Sequence, residues 1–107
     1  MAGRCRPPDA ALLRRQDVAV RGEVTEAGGA GTVRLRVVAA YRGEPGAFLE
    51  VDAPTEELGA LLLAPDLEPG GTYLLAARAS TLAVCGASGA ATSTLTRLYE
   101  RAYGVPR

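Results

Sequence analysis

Apolar and polar residues alternate most regularly over Thr32–Tyr41. There Val33, Leu35, Val37, Ala39 and Tyr41 share one face, and Arg34, Arg36 and Val38 take the other. A period of two is the signature of a half-buried strand. The same pattern runs through Asp17–Glu26, with Val18, Val20 and Val24 on one side and Arg21 and Glu23 on the other. Gly22 falls on the apolar side, which predicts a bulge or sharp bend of the kind small barrels need. Shorter strands are predicted over Phe48–Val51, over Thr72–Ala79 and, after a tight turn at Ser80, over Leu82–Cys85. Ala27–Gly31 and Arg42–Gly46 read as turns.

Helices flank this run of strands. Asp9 is placed to cap a short helix over Ala10–Arg14. At the other end, Thr92 or Ser93 can cap a helix over about Ala91–Tyr103, with Leu95, Leu98, Tyr99 and Ala102 as its apolar stripe. Gly104 and Pro106 stop it. Pro7 and Pro8 hold the first eight residues extended. Residues 54–71 carry Pro54, Gly59, Pro65, Pro69, Gly70 and Gly71, yet also Leu58, Leu61, Leu62 and Leu63. So apolar a loop is either a lid on the core or a contact surface. Five short strands, one long loop and flanking helices predict a mainly β, five-stranded OB-fold barrel; a seven-strand sandwich does not fit. The 107 residues support a single domain.

Composition then narrows the chemistry. The chain has no His, and 12 Arg balance 12 acidic residues to a net charge of zero. His is the commonest metal ligand and general base, so Ser-His, Cys-His and His-metal sites are excluded. No enzyme activity, resident metal or cofactor is expected. A neutral chain also argues against holding a polyanion by bulk charge. No apolar run approaches the ~18 residues of a membrane span. Lys, Ile and Asn are absent while Ala, Leu, Arg and Gly abound, the mark of GC-rich coding. Arg is then the only cation available, and its use alone does not signal phosphate recognition.

The remaining clusters are weak. Glu56 and Glu57 are neighbours on an extended segment and face opposite ways, a poor acid–base pair. Ser88, Thr92, Ser93, Thr94 and Thr96 have no His or Lys as base and suit helix capping. Gly28, Gly29 and Gly31 lack the strand-then-helix setting of a phosphate loop. Arg21, Arg34 and Arg36 could line one outer barrel face. They are the basis of an alternative reading, an OB module for oligosaccharide or nucleic acid. A structural domain of a cell-surface protein is another. The two cysteines, Cys5 and Cys85, lack C-x-x-C spacing. They fit equally a bridge closing a loop of about 80 residues or two buried thiols. No leader is visible, and Met1-Ala2-Gly3 reads as a start placed on a mature chain.

An ordered series of segments is more telling. Cys5-Arg6-Pro7-Pro8 precedes the short helix, followed by Asp17-Val18-Ala19-Val20-Arg21-Gly22-Glu23-Val24 and Val37-Val38-Ala39-Ala40-Tyr41-Arg42-Gly43. Next come Leu67-Glu68-Pro69-Gly70-Gly71-Thr72-Tyr73-Leu74-Leu75-Ala76 and Leu82-Ala83-Val84-Cys85-Gly86. Over roughly residues 3–90 this series resembles the netrin-like, OB-fold inhibitory domain of the tissue inhibitors of metalloproteinases, and looks closest to short bacterial members. The resemblance implies a Cys5–Cys85 disulfide, export, and a protein partner such as a zinc metalloprotease. It implies contact through a ridge of Met1, Ala2, Gly3, Arg4, Cys5, Arg6 and Pro7 with a loop from Leu58 to Ala64 that holds Leu61, Leu62 and Leu63. The family's first cysteine, whose amine and carbonyl chelate the protease zinc, corresponds to Gly3, and its disulfide partner to about Leu63. Both cysteines are absent as a pair.

Overall fold

A computed structural model of the chain describes residues 5, 7–27, 31–54 and 65–106. Helix α1 spans Ala10–Arg14, with the Asp9 carboxylate accepting the Leu12 N–H at 2.8 Å as its cap. Six strands follow: β1 Val18–Ala27, β2 Thr32–Arg42, β3 Phe48–Asp52, β4 Thr72–Arg78, β5 Thr81–Leu82 and β6 Gly89–Ala90. Helix α2, Ser93–Tyr103, ends the series. Thr92 is its cap, accepting from Leu95 N–H at 3.2 Å, and Gly104 stands at its end. The sheet runs β1-β2-β3-β5-β4, and β4 pairs back onto β1 to close the barrel. Every pairing is antiparallel except β3 with β5, which meet in parallel at Asp52 and Thr81. This is the five-stave, OB-fold-like barrel expected from the strand count.

The fifth stave differs from the single strand expected over Leu82–Cys85. The chain pairs with β4 at Thr81 and Leu82, leaves it over 83–88, and returns as β6 opposite Tyr73 and Leu74. Cys85 lies in that detour at φ 61°. The ladder is patched across the gap. Ala83 N–H donates to the Ala76 carbonyl at 2.8 Å, and the buried Ser88 hydroxyl accepts the Ala76 N–H at 3.2 Å. A side-chain oxygen thus stands in for a strand carbonyl, as a buried N–H requires a partner. The detour takes Cys85 out of the ladder, where it is bridged to Cys5.

Two apolar clusters divide the residues between the inside and outside of the barrel. Val20, Val24, Val33, Leu35, Val51, Leu67, Leu75, Ala77 and Leu82 fill the interior. Gly22 also faces inward. A Cβ there would lie 3.2 Å from Leu35 Cβ, so β1 passes β2 closely at this point, next to a register shift between Arg21 and Gly22. The second cluster holds Leu13, Ala19, Tyr41, Leu74, Ala76, Ala87 and Tyr99, where the helices cover the outer face of β1 and β4. Strand β4 serves both clusters, which explains its unbroken apolar run: Leu75 and Ala77 point in, Leu74 and Ala76 point out. Tyr41 was expected beside Val33 and Leu35. It is buried instead in the outer cluster, because the β1–β2 register shifts interrupt the alternation.

The helices lock onto each other as well as onto the barrel. Arg14 donates from Nε and Nη2 to the carbonyls of Ala102 and Arg101, at 3.1 and 3.3 Å. Those carbonyls lie in the last turn of α2, which has no intrahelical donors for them. The Tyr103 hydroxyl donates to the Leu13 carbonyl, and Tyr99 donates to Ala87 at 2.7 Å.

Candidate functional site

The residues of the predicted ridge fall mostly outside the described part of the chain. Met1, Ala2, Gly3, Arg4 and Arg6 do so, as do Leu58, Leu61, Leu62, Leu63 and the neighbouring Glu56 and Glu57. Cys5 and Pro7 are described. Cys5 is half-buried and joined to Cys85 across 80 residues of sequence, and Pro7 is exposed. The lid expected of the long loop also lies outside the described residues, except for 54 and 65–71. There Leu67 enters the barrel core, and Tyr73 holds the backbone in place. Its hydroxyl donates to the Asp66 carbonyl and accepts the Glu68 N–H, both at 3.0 Å. Gly70 and Gly71 then exchange hydrogen bonds with Val24 at 2.8 and 3.0 Å, tying this segment to β1.

The three arginines of the alternative reading do not form one stripe. Arg36 is paired with Glu23 across β1 and β2 at 2.8 Å. The Arg34 guanidinium lies 4.5 Å from the centre of the Phe48 ring and covers the one exposed aromatic among the described residues. Arg34 also stands opposite Glu50 in the β2–β3 register and Glu26 in the β1–β2 register. Arg21 is half-buried, its Nε is shielded without a hydrogen-bond partner, and its charge acts on Tyr41.

All four tyrosines are committed to structure. Tyr99 packs edge-on against Tyr41 and Tyr103, with ring centres 5.3 and 5.8 Å apart, and Tyr41 and Tyr103 lie tilted at 6.3 Å. Burial pushes all three hydroxyls above the ordinary phenol range. Tyr103 reaches about 12, with Arg42 pulling it back only in part. Tyr99 goes higher still through burial and then the neighbouring Tyr103, against a hydrogen bond from Ser88. Tyr41 rises by burial, opposed by Arg21 and helped by Glu100. These groups stay neutral and serve as hydrogen-bond donors and packing surface, not as acids or bases.

A concave feature of the described surface lies elsewhere, between α2 and the segment that carries β6. It is a groove of about 660 Å³. Gly86, Ser88, Gly89 and Ala90 form one wall, and Thr94, Arg97 and Arg101 of α2 the other. Pro8, Leu95 and Leu98 are half-buried along it. Nothing in the alternation pattern pointed here. The available signal was the pair Arg97 and Arg101, one helical turn apart beside the apolar stripe.

No helix among the described residues is long and apolar enough to cross a membrane. No protein-family model matches the chain, and no curated protein matches it.

Proposed function

We propose that the chain is an exported binding module built like the inhibitory domain of the tissue inhibitors of metalloproteinases, with a protein partner and no catalysis of its own. The observation that carries this reading is the Cys5–Cys85 bridge on an OB-fold-like barrel. It is the pairing that the resemblance implies between the N-terminal segment and the end of the fifth stave. A long-range bridge of this kind forms and persists in oxidising compartments, which supports export. It also ties the chain to the barrel at Cys5, and a tethered contact residue loses less entropy when a partner binds. The contact surface is then the ridge Met1–Pro7 with the loop Leu58–Ala64, and the partner class is a zinc metalloprotease. The paired charges around Arg34 and Arg36, and the guanidinium over Phe48, give the nucleic-acid reading less support.

The test is an inhibition panel of zinc metalloproteases against oxidised chains starting at Met1, Gly3, Arg4 and Cys5. Different starts matter because chelation of a protease zinc needs a free amine in register. Reversible inhibition by at least one start, relieved by a small active-site chelator of the protease, supports the reading. No inhibition by any start at about 10 μM, where even a micromolar complex would be mostly formed, overturns the inhibitor part of it.

A further inference from the structure

From the groove between α2 and β6, at an edge of the sheet, we infer a second binding site, for an extended peptide with acidic side chains at alternate positions. It does not rest on the inhibitor reading, since neither described residue of the ridge, Cys5 or Pro7, lines the groove. Three independent features of the surface converge on that ligand. The first is shape. A groove of about 660 Å³ is within the range of ordinary ligand sites, and its Pro8, Leu95 and Leu98 surfaces are apolar. The second is the backbone beside it. Strand β6 pairs with β4 on one side only, and among the described residues no strand covers its other edge. Gly89 and Ala90, the two residues of β6, both line the groove. A short uncovered edge in a groove can take an extended chain by adding a strand.

The third feature is charge. Arg97 and Arg101 are exposed, line the groove, and have no ion-pair partner among the described residues. No acidic residue among the described residues lines it, and the exposed Thr94 adds a hydroxyl, while the Ser88 and Thr92 hydroxyls are held by Ala76 and Leu95. Two arginines four residues apart on a helix are offset by roughly 6 Å along its axis. Side chains two residues apart on an extended strand repeat at roughly 6.6 Å, on one face. A peptide with Glu or Asp at alternate positions therefore presents its carboxylates at the arginine spacing, while the intervening side chains face away. Carboxylates at adjacent positions point to opposite faces and reach one arginine at most. The bridge contributes too: Pro8 and Gly86 stand close to its two cysteines in sequence and both line the groove.

The experiment is fluorescence anisotropy with the oxidised chain and a capped, dye-labelled decapeptide that alternates Glu with Ser and Leu. The control has the same composition with its Glu residues adjacent. The alternating peptide should bind, and the control should bind about fivefold or more weakly. Replacing both arginines (Arg97→Ala with Arg101→Ala) should weaken binding about tenfold, and raising the salt should do the same, as for two exposed charge pairs. Reversing both charges (Arg97→Glu with Arg101→Glu) should reject the Glu peptide and accept its Lys counterpart, provided the thermal melt stays cooperative. Equal binding of the two Glu peptides, no binding of either, or no effect of the alanine pair overturns the proposal. So does a dimer in solution that the reversed charges break while no peptide binds, because the groove would then belong to a second copy of the chain.

Discussion

Removing the Cys5–Cys85 bridge is the perturbation whose size the structure defines best. The linked residues are 80 apart in sequence. On the chain-entropy account, opening a loop of that length frees the denatured chain by about 4.5 kcal/mol at 25 °C. That is a ceiling. The described core begins at Leu13, with Leu12 packed against it, and neither apolar cluster includes a residue before Leu12. Opening the bridge also frees the Cys5 and Cys85 side chains in the reduced native chain, which offsets part of the effect. The net loss is expected between about 2 and 4.5 kcal/mol, against a total stability of about 5–15 kcal/mol for a domain of this kind. The barrel should survive reduction, with less margin. With a urea slope of about 1.5 kcal/mol per molar, the midpoint should fall by about 1.3–3 M, and the slope should rise somewhat as the unbridged denatured chain expands. The assay is urea unfolding followed by circular dichroism, for the oxidised chain, the reduced chain and the variant Cys5→Ser with Cys85→Ser. Intact mass after alkylation in denaturant must show the bridge in the first sample. A midpoint shift below about 0.5 M there would refute the loop-entropy reasoning. A reduced chain unfolded without denaturant would instead mean that the first residues carry native contacts beyond the two clusters.

Two further predictions concern the tyrosines and a tight turn. Tyr41, Tyr99 and Tyr103 all have hydroxyls raised above the usual value of 10 in the folded state. The unfolded chain loses these protons near pH 10, while folded Tyr103 holds its own to about 12. Their stabilisation is thus complete below pH 10 and falls as pH rises, by about 1.4 kcal/mol per pH unit for each tyrosine still protonated in the fold. Urea midpoints between pH 8 and 11.5 should decline above 10, and Tyr103→Phe should make the decline shallower while costing about 1 kcal/mol at pH 7; a flat profile would contradict the burial argument. In the two-residue turn between β4 and β5, Ala79 and Ser80 both sit at positive φ, 49° and 67°. Asp17 accepts the Ala79 N–H and Asp52 donates to the Ser80 carbonyl, each at 2.7 Å, which holds the turn in place. Asn-Gly is the pair such a turn favours, so Ala79→Asn with Ser80→Gly should raise stability by about 1 kcal/mol and the melting temperature by about 4 °C; an unchanged or lower melting temperature would mean that these hydrogen bonds already remove the strain.

Local rules carried the reading wherever one element faces one environment. Asp9 and Thr92 are caps because their side chains can reach an N–H three residues on, and Val33 and Leu35 alternate because β2 there has one dry face. They fail where two environments meet. Strand β4 is covered inside and out, so its pattern shows a strand but not which residue faces which cluster. Tyr41 changes sides through register shifts, and these depend on how β1 passes β2 at Gly22, a packing fact with no signature beyond the glycine itself. The broken fifth stave is the deepest case. Its gap depends on Ser88 folding back 12 residues to Ala76, and on Cys85 leaving the sheet for a residue 80 positions away. Neither partner is local, so no window of sequence contains the cause. The α2 groove arises from the same detour, because it opens beside β6, where the chain rejoins β4 after carrying Cys85 to the bridge. One departure from regular structure therefore serves both proposals. It carries Cys85 to Cys5, and among the described residues it leaves a sheet edge uncovered next to two arginines without ion-pair partners. If the bridge shapes that edge, reduction should weaken alternating-peptide binding even in a barrel that stays folded; peptide affinity unchanged by reduction would separate the groove from the bridge.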